Sequence, residues 1–464
     1  MSDEYAETHL RTRAFTHPEM NDVYSEWRAS LTRPKQKKRS YQHFDKPLDL
    51  DNDHDFALVK RAIENIKTHQ FLPFLKFIKK DVRYRQDASG VPQRKIKPRP
   101  IMYASHLDAH IYGFFSYVWG QAYERFITAN GSAESVIAYR KIPDNGARRN
   151  KGNIQFAREV FGYIQEHGDC VAIVADISKF FDALKHKTLK ERLCAILSVA
   201  TLNANEYKVF RSLSAFRFVL KDKTWNSAYA RLAPRIAREM RKGKSLPQSV
   251  YESGKRIIRT NRTELGIPQG SPVSGLLANI YLSAFDSAIR RAFPNALYRR
   301  YSDDIVLVCP ANLADTALSV LKTEIEKNDL DINAKKAFLV KFESQADGSV
   351  TCTDVKDGDK NPVRRKYIDY LGFKFDGRSV LLRDKTLQRS YKKADKKIHK
   401  FQLRQTSGYK HKPHKPGHKQ KGGSYIKSSA TAMQSVGSRI GLQQGKFEKF
   451  VRRKVRLHKK KPSP

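Results

Sequence analysis

The sequence predicts an α+β fold, with antiparallel strands concentrated in a central region and a largely helical remainder. Three observations point that way. The run VAIVAD (171–176) and the segment LYRRYSDDIVLVCP (297–310) have the apolar, β-branched character of strands, the second folding back on itself at Ser302 and Asp303. Segments such as LLANIYLSAFDSAIRRAF (276–293) space their apolar residues as helices do. At 464 residues the chain can bury a substantial core and fill two or three domains without disulfide support.

Residues 1 to about 60 are polar and charged, with a basic cluster at Lys35, Lys37, Lys38 and Arg39 ahead of an acidic stretch from Asp49 to Asp55. They read as an extension wrapped on something larger. Phe56, Leu58, Val59, Ile63 and Ile66 follow helical spacing, after which the Phe-rich FLPFLKFIKK is interrupted by Pro73. From 95 to 170, basic turns alternate with helical segments; one Gly-, Asn- and Arg-rich loop, in AYRKIPDNGARRNKGN, is suited to phosphate contact. The buried strand 171–176 leads through a turn into the helix ALKHKTLKERLCAIL. A helical insertion is expected over about 200–262, its part 225–262 basic and mostly helical. TALSVLKTEIEKNDLDIN reads as a helix ending near Asn328, and KYIDYLGFKFDGRSVLL returns to strands. No internal repeat is evident.

The net charge of +42, from 89 basic and 47 acidic residues, is far beyond what solubility needs. A polyanion is the expected partner, and the many Tyr and Phe residues suited to base stacking favour nucleic acid over a membrane surface. About half of the excess lies beyond residue 385. The four cysteines form no C-x-x-C pair, which speaks against a zinc ribbon or a disulfide framework. The polar, acidic N-terminus and the lack of any apolar run of membrane-spanning length predict a cytoplasmic protein with no membrane partner.

Three carboxylates stand at the ends of predicted buried strands, where a side chain is held rigidly yet meets solvent: Asp176, Asp303 and Asp304. Phosphoryl transfer needs two divalent cations about 3.5–4 Å apart, clamped by shared carboxylates. All-oxygen ligands suit hard cations, so two Mg²⁺ ions are the expected cofactors. Taken singly, Asp303 also fits a turn former and Asp176 a helix cap. Their flanks change the odds.

The segments DISKFFD (176–182), GIPQGSPVSGLLANIYL (266–282) and YSDD (301–304) followed by IVLV resemble, in order, the three palm motifs of reverse transcriptases. KPRPI (97–101) and AYRK (138–141) are similar to the family's fingers motifs, INAKK (332–336) to its lysine-bearing palm segment, and YLGFKF (370–375) to its primer-grip hairpin. The resemblance covers roughly residues 95–376 and implies a right-hand polymerase of fingers, palm and thumb. The expected divisions are an N-terminal extension and start of the fingers (1–94), fingers (95–170), palm (171–376) and a basic, thumb-like nucleic-acid-binding region (377–464).

It further implies Asp176, Asp303 and Asp304 as catalytic residues and, with Ile177, as the metal site. Phe181 falls where the family stacks an aromatic under the incoming sugar; a bulky ring there collides with a 2′-hydroxyl, so dNTPs are the expected substrates. Gln269 lies where the family's loop meets the nascent base pair, and nearby glycines let the backbone approach closely. Gly266, Gly270 and Gly275 serve equally as packing or turn glycines. Lys97 and Arg99 are the candidates for the triphosphate, Lys335 for the pyrophosphate with Lys336 an equal contender, and Tyr370, Leu371 and Gly372 for the primer grip. In VYSEWRAS, Tyr24, Glu26 and Arg28 offer a hydroxyl, an acceptor and a donor for unusual templating or protein priming, against the plainer reading of a packing helix.

Within the family, no splicing domain or Cys-rich endonuclease follows the palm, and the retron signatures are missing, since NANE (203–206) lacks the His. The remainder resembles bacterial defence-associated reverse transcriptases. That implies antiphage immunity, a noncoding RNA template, a DNA product, and a companion protein or homo-oligomer. Three other readings stay open: a retron- or intron-type enzyme, an RNA-dependent RNA polymerase, and a non-catalytic RNA-binding scaffold with a polymerase fold.

Overall fold

The computed structural model describes residues 17–31, 41–86, 92–144, 149–222, 224–333, 336–357 and 361–389. Its centre is a five-stranded antiparallel sheet built from β3 (Cys170–Asp176), β6 (Leu297–Tyr301), β7 (Asp304–Pro310), β8 (Phe338–Ser344) and β9 (Val350–Asp357), in the order β6-β7-β3-β8-β9. Successive side chains of a strand point to opposite faces. Here both faces are covered. Val171, Ile173 and Ala175, with Ile305 and Leu307, enter the main core beneath helices His106–Ala129, Ser274–Tyr281 and Ala314–Glu326. Cys170 and Ala172, with Val306 and Val308, enter a second core closed by helix Asn153–His167 and a small sheet. Burial on both sides is why β3 and β7 are uninterrupted apolar runs rather than alternating ones. The small sheet consists of β10 (Ile368–Tyr370), β11 (Phe373–Phe375) and β12 (Val380–Leu382).

A third sheet runs in the order β2-β1-β4-β5, from β1 (Phe74–Gln86), β2 (Pro92–Tyr103), β4 (Arg217–Leu220) and β5 (Arg259–Thr260). β1 and β2 form a long antiparallel arm, paired from Leu75 with Tyr103 out to Gln86 with Pro92. β4 runs parallel to β1. The α+β class is therefore as expected, with three corrections in detail. KIKPRPIMY is strand rather than turn or helix, pairing across the arm with the Phe-rich segment, which is strand from Phe74 because Pro73 precedes β1. The stretch 200–262 is not wholly helical, since its strands β4 and β5 extend the same sheet. LLANIYLSAFDSAIRRAF divides at Leu282 into helices Ser274–Tyr281 and Ser283–Ala292. The hairpin β8–β9, which the sequence did not announce, supplies an edge of the central sheet.

Candidate active site

Asp176 ends β3 and Asp304 begins β7, and the ladder sets the two directly opposite each other. The amide N–H of Ile177 donates to the carbonyl of Asp303 at 3.0 Å, which ties the turn between β6 and β7 to the end of β3. One spatial register thus gathers all three carboxylates. Asp176 is buried, and its neighbours leave it rigid: its carbonyl accepts from the Asn333 N–H at 2.8 Å. Ile177 is buried, so only its main chain could reach a cation.

The electrostatics follow from this crowding. Burial, then the charge of Asp176, raises the pKa of Asp303. Burial, followed by Asp303 and Asp176, pushes Asp304 up to about 7. Asp304 is exposed, so a cation arriving from solvent would meet it directly. Adjacent carboxylates resist joint ionisation unless a cation offsets them. The Lys336 ammonium binds both oxygens of Asp176. Among the described residues, no three His, Cys, Asp or Glu side chains already converge as a closed metal cluster. The donor set nonetheless fits magnesium: hard carboxylate oxygens on fixed strand ends, in mutual repulsion, one of them already drawing a cation.

The two-residue turn that carries Asp303 is held from below. Ser302 adopts φ 61°, a conformation usually left to glycine. Its carbonyl accepts from Arg300 Nη1 at 3.2 Å, and its hydroxyl shares a 3.2 Å hydrogen bond with that of Tyr139. Arg300 is fully buried and forks onto Asp286 through Nε at 2.7 Å and Nη2 at 2.6 Å, with the Tyr298 hydroxyl donating to the same carboxylate at 2.6 Å. Arg300 Nη1 also reaches Asn279, whose amide donates to the carbonyl of Ala138 at 2.8 Å. The main chain of Arg300 bonds Ser135 and Ile137. The guanidinium of Arg300 therefore fastens the acidic turn to the helices 274–292, while its main chain holds the segment preceding Tyr139. No sequence pattern announces a buried arginine, so this set was missed. Tyr139 was missed too, although AYRK had marked its neighbourhood.

Phe181 is half-buried and meets Tyr139 edge-on at 6.5 Å between centroids, while Phe180 lies in the core, as its plainer reading held. The Tyr139 ring lies over Gly275, where an added Cβ would come within 2.6 Å of it. Gly275 is thus a packing glycine. Gly270 permits a different close approach. At φ 123° a Cβ there would sit 2.4 Å from the carbonyl of Met102 on β2, and the adjoining Gln269 carbonyl accepts from the Met102 N–H at 2.9 Å. The loop of the second motif is therefore stitched to the arm that carries Lys97 and Arg99. Arg99 is among the cations that act on Asp303, and its Nε lies 3.6 Å from Asp81. Lys97 is exposed and pairs in register with Asp81. Lys335 lies outside the described residues, whereas the contender Lys336 is the lysine on Asp176.

Tyr370 ends β10 and Leu371 and Gly372 form its turn, both with positive φ, as two-residue hairpins demand. Tyr370 is buried close enough to Asp304 to feel its charge. The N-terminal trio is engaged within the protein. Tyr24 is 2 % exposed and stacked on Phe114, Glu26 accepts from Tyr117, and Arg28 is spent on Leu50, Asp51 and Asp53. Apolar packing by Tyr24 and Trp27 outweighs exposure of the hydroxyl, so helix His17–Leu31 is a packing helix.

The family described as reverse transcriptase (RNA-dependent DNA polymerase) matches residues 143–375, half of the chain. The chain belongs to the reverse transcriptase family. This reverse transcriptase match takes in Asp176, Phe181, the Gln269 loop, the acidic turn and the Tyr370 hairpin. No curated protein matches the chain. Similar solved structures include a telomerase of Candida tropicalis truncated of its C-terminal domain, with 12 % identity, 66 % of this chain and 55 % of that one covered, and a TM-score of 0.37. A telomerase of Candida albicans in complex with a TWJ fragment of telomeric RNA gives 13 %, 70 %, 49 % and 0.37, and apo telomerase of Candida tropicalis gives 12 %, 79 %, 54 % and 0.38. The chain spans about half the length of these structures. Among the described residues no helix is long and apolar enough to cross a membrane.

Proposed function

We propose that this chain synthesises DNA on an RNA template, transferring dNMP to a primer 3′-hydroxyl with release of pyrophosphate. The observation that carries the reading is the in-register facing of Asp176 and Asp304, with Asp303 on the turn between, inside a family-matched segment. Asp176, Asp303, Asp304 and the main chain of Ile177 would hold two Mg²⁺ ions, which supply activation of the attacking oxygen and charge neutralisation of the leaving pyrophosphate. The remaining roles belong to protein groups. Phe181, beside Tyr139, limits room at the sugar 2′ position. The backbone at Gln269 and Gly270 lines the nascent pair. Arg99 and Lys97 take phosphate oxygens, as does Lys335 or Lys336, and the Tyr370–Gly372 hairpin holds the primer end.

The biological setting proposed is bacterial antiphage defence, with a noncoding RNA as template and a cytoplasmic location. A companion protein or a second copy of the chain belongs to the same proposal. What supports it is the resemblance of the palm and fingers motifs, set between long N- and C-terminal regions, to those of the defence-associated enzymes. A retron- or intron-type role is the second reading within the family, and a non-catalytic RNA-binding scaffold is the reading from another class. The acidic cluster in so basic a chain favours catalysis, since its repulsion is a cost that binding alone does not require.

The test is Asp303→Ala/Asp304→Ala with labelled dNTPs. Incorporation is abolished while nucleic-acid binding persists; surviving incorporation would remove these carboxylates from the mechanism. Expression in a phage-challenged bacterium, with the same double variant as control, tests the setting, and equal plating on both would refute it.

A further inference from the structure

The insertion between the first two palm motifs has work of its own. Between residues 225 and 262 the chain holds ten Lys and Arg against two Glu. Its helices Trp225–Arg241 and Leu246–Gly254 bury Leu232, Ile236 and Val250 against Leu72, which fixes which side faces water. The outward side of the first helix carries Arg231, Arg235, Arg238 and, just past its end, Lys242, at spacings of four, three and four. Residues so spaced share one helix face. At 1.5 Å rise per residue they form a stripe about 16 Å long.

Both acids are already engaged. Glu239 takes Lys242 at 3.0 Å and Lys244 at 2.7 Å, and Glu252 takes Lys244. Among the described residues Arg231, Arg235 and Arg241 have no carboxylate partner, and all three are exposed. The face is also poor in rings: Trp225 is buried, Tyr229 is half-buried, and Met240 is the exposed large apolar residue of the insertion. Cations without exposed aromatics suit a duplex backbone better than the stacked bases of a single strand. The sheet order sets β5, at the insertion's end, on the opposite edge from β2 and Arg99.

We infer that the outward face of the 225–262 insertion binds the phosphate backbone of base-paired RNA, as a second nucleic-acid site at the sheet edge opposite the one that carries Arg99. The inference rests on the proposed polymerase reading in one respect, the choice of RNA: a template RNA held by its duplex portion here leaves its single-stranded portion free for the cleft. The four cations of the stripe would meet on the order of four phosphates.

The test uses the full chain carrying Arg231→Gln/Arg235→Gln/Arg241→Gln and, as probe, a synthetic RNA hairpin with a stem of roughly 20 base pairs. Binding falls about tenfold or more, and the slope of log affinity against log salt becomes shallower by about one per contact removed. Incorporation on a short primer–template confined to the cleft is unchanged. The same three positions as Lys retain binding, which separates lost charge from lost fold; single Gln variants give the graded version should the triple variant melt early. Wild-type affinity and slope in the Gln variant overturn the inference, and an equal loss with a DNA hairpin of the same sequence overturns the assignment to RNA. Incorporation surviving in Asp303→Ala/Asp304→Ala would refute the polymerase reading while leaving this binding result standing.

Discussion

At position 181 a half-buried ring stands edge-on to Tyr139, and the proposed function makes it the group that limits room for a 2′-hydroxyl. Replacing Phe181 by Ala is expected to raise the ratio of rNTP to dNTP use by about 10- to 200-fold, the range that small changes in pocket volume produce. Single-nucleotide incorporation assays measure it, and an unchanged ratio would place the selectivity elsewhere. A second side chain reports on stability instead. Burial, aided by His106 and Lys221, lowers the pKa of His43 from an ordinary 6.5 to about 3. Since the unfolded chain takes up this proton first as pH falls, the stability that neutral His43 supports is intact above about pH 6.5. It is lost progressively towards pH 3, by up to ~1.4 kcal/mol per pH unit. Denaturant midpoints between pH 7 and 5 should fall for the wild type and fall less for His43→Phe; parallel curves would clear His43 of the effect.

The β6–β7 hairpin depends on a support that lies beneath it. Arg300 on β6 is neutralised by Asp286 from the neighbouring helix, and only with that pair intact does Nη1 face the carbonyl of Ser302. Arg300→Met leaves Asp286 buried and unpaired, which costs about 3–5 kcal/mol, and the melting midpoint should drop accordingly. Arg300→Lys keeps the charge but loses the planar fork. Its expected signature is a fall in the incorporation rate, because the turn that carries Asp303 loses the bond from Nη1 to the Ser302 carbonyl. Wild-type turnover in a folded Arg300→Lys protein would show that the turn holds itself.

Over the whole molecule, charge dominates. A chain at +42 repels itself and gains by meeting phosphate, so its affinity for nucleic acid should depend steeply on salt. With about six to ten phosphate contacts, affinity is expected to fall by roughly 10³ or more between 50 and 200 mM salt. A filter-binding titration reads this slope. A shallow one, equivalent to one or two contacts, would mean that the excess charge is solvated rather than used.

Much of the site was legible because it is local. Strand VAIVAD with its terminal carboxylate, the acidic turn and the glycine-bearing loop each declare themselves through short-range pattern, and the register of β3 against β7 brought Asp176 to Asp304 as expected. The sequence by itself determined the α+β class, the order of the motifs and which carboxylates stand at the strand ends. Tertiary structure alone decided that β4 joins β1 in parallel, that Tyr24 faces inward, that Arg300 braces the turn and that Lys336 meets Asp176. The reason is distance along the chain. Apolar period and turn chemistry are written within a few residues, whereas a buried ion pair or a parallel pairing is chosen by segments far apart, whose burial is settled only when the whole core closes.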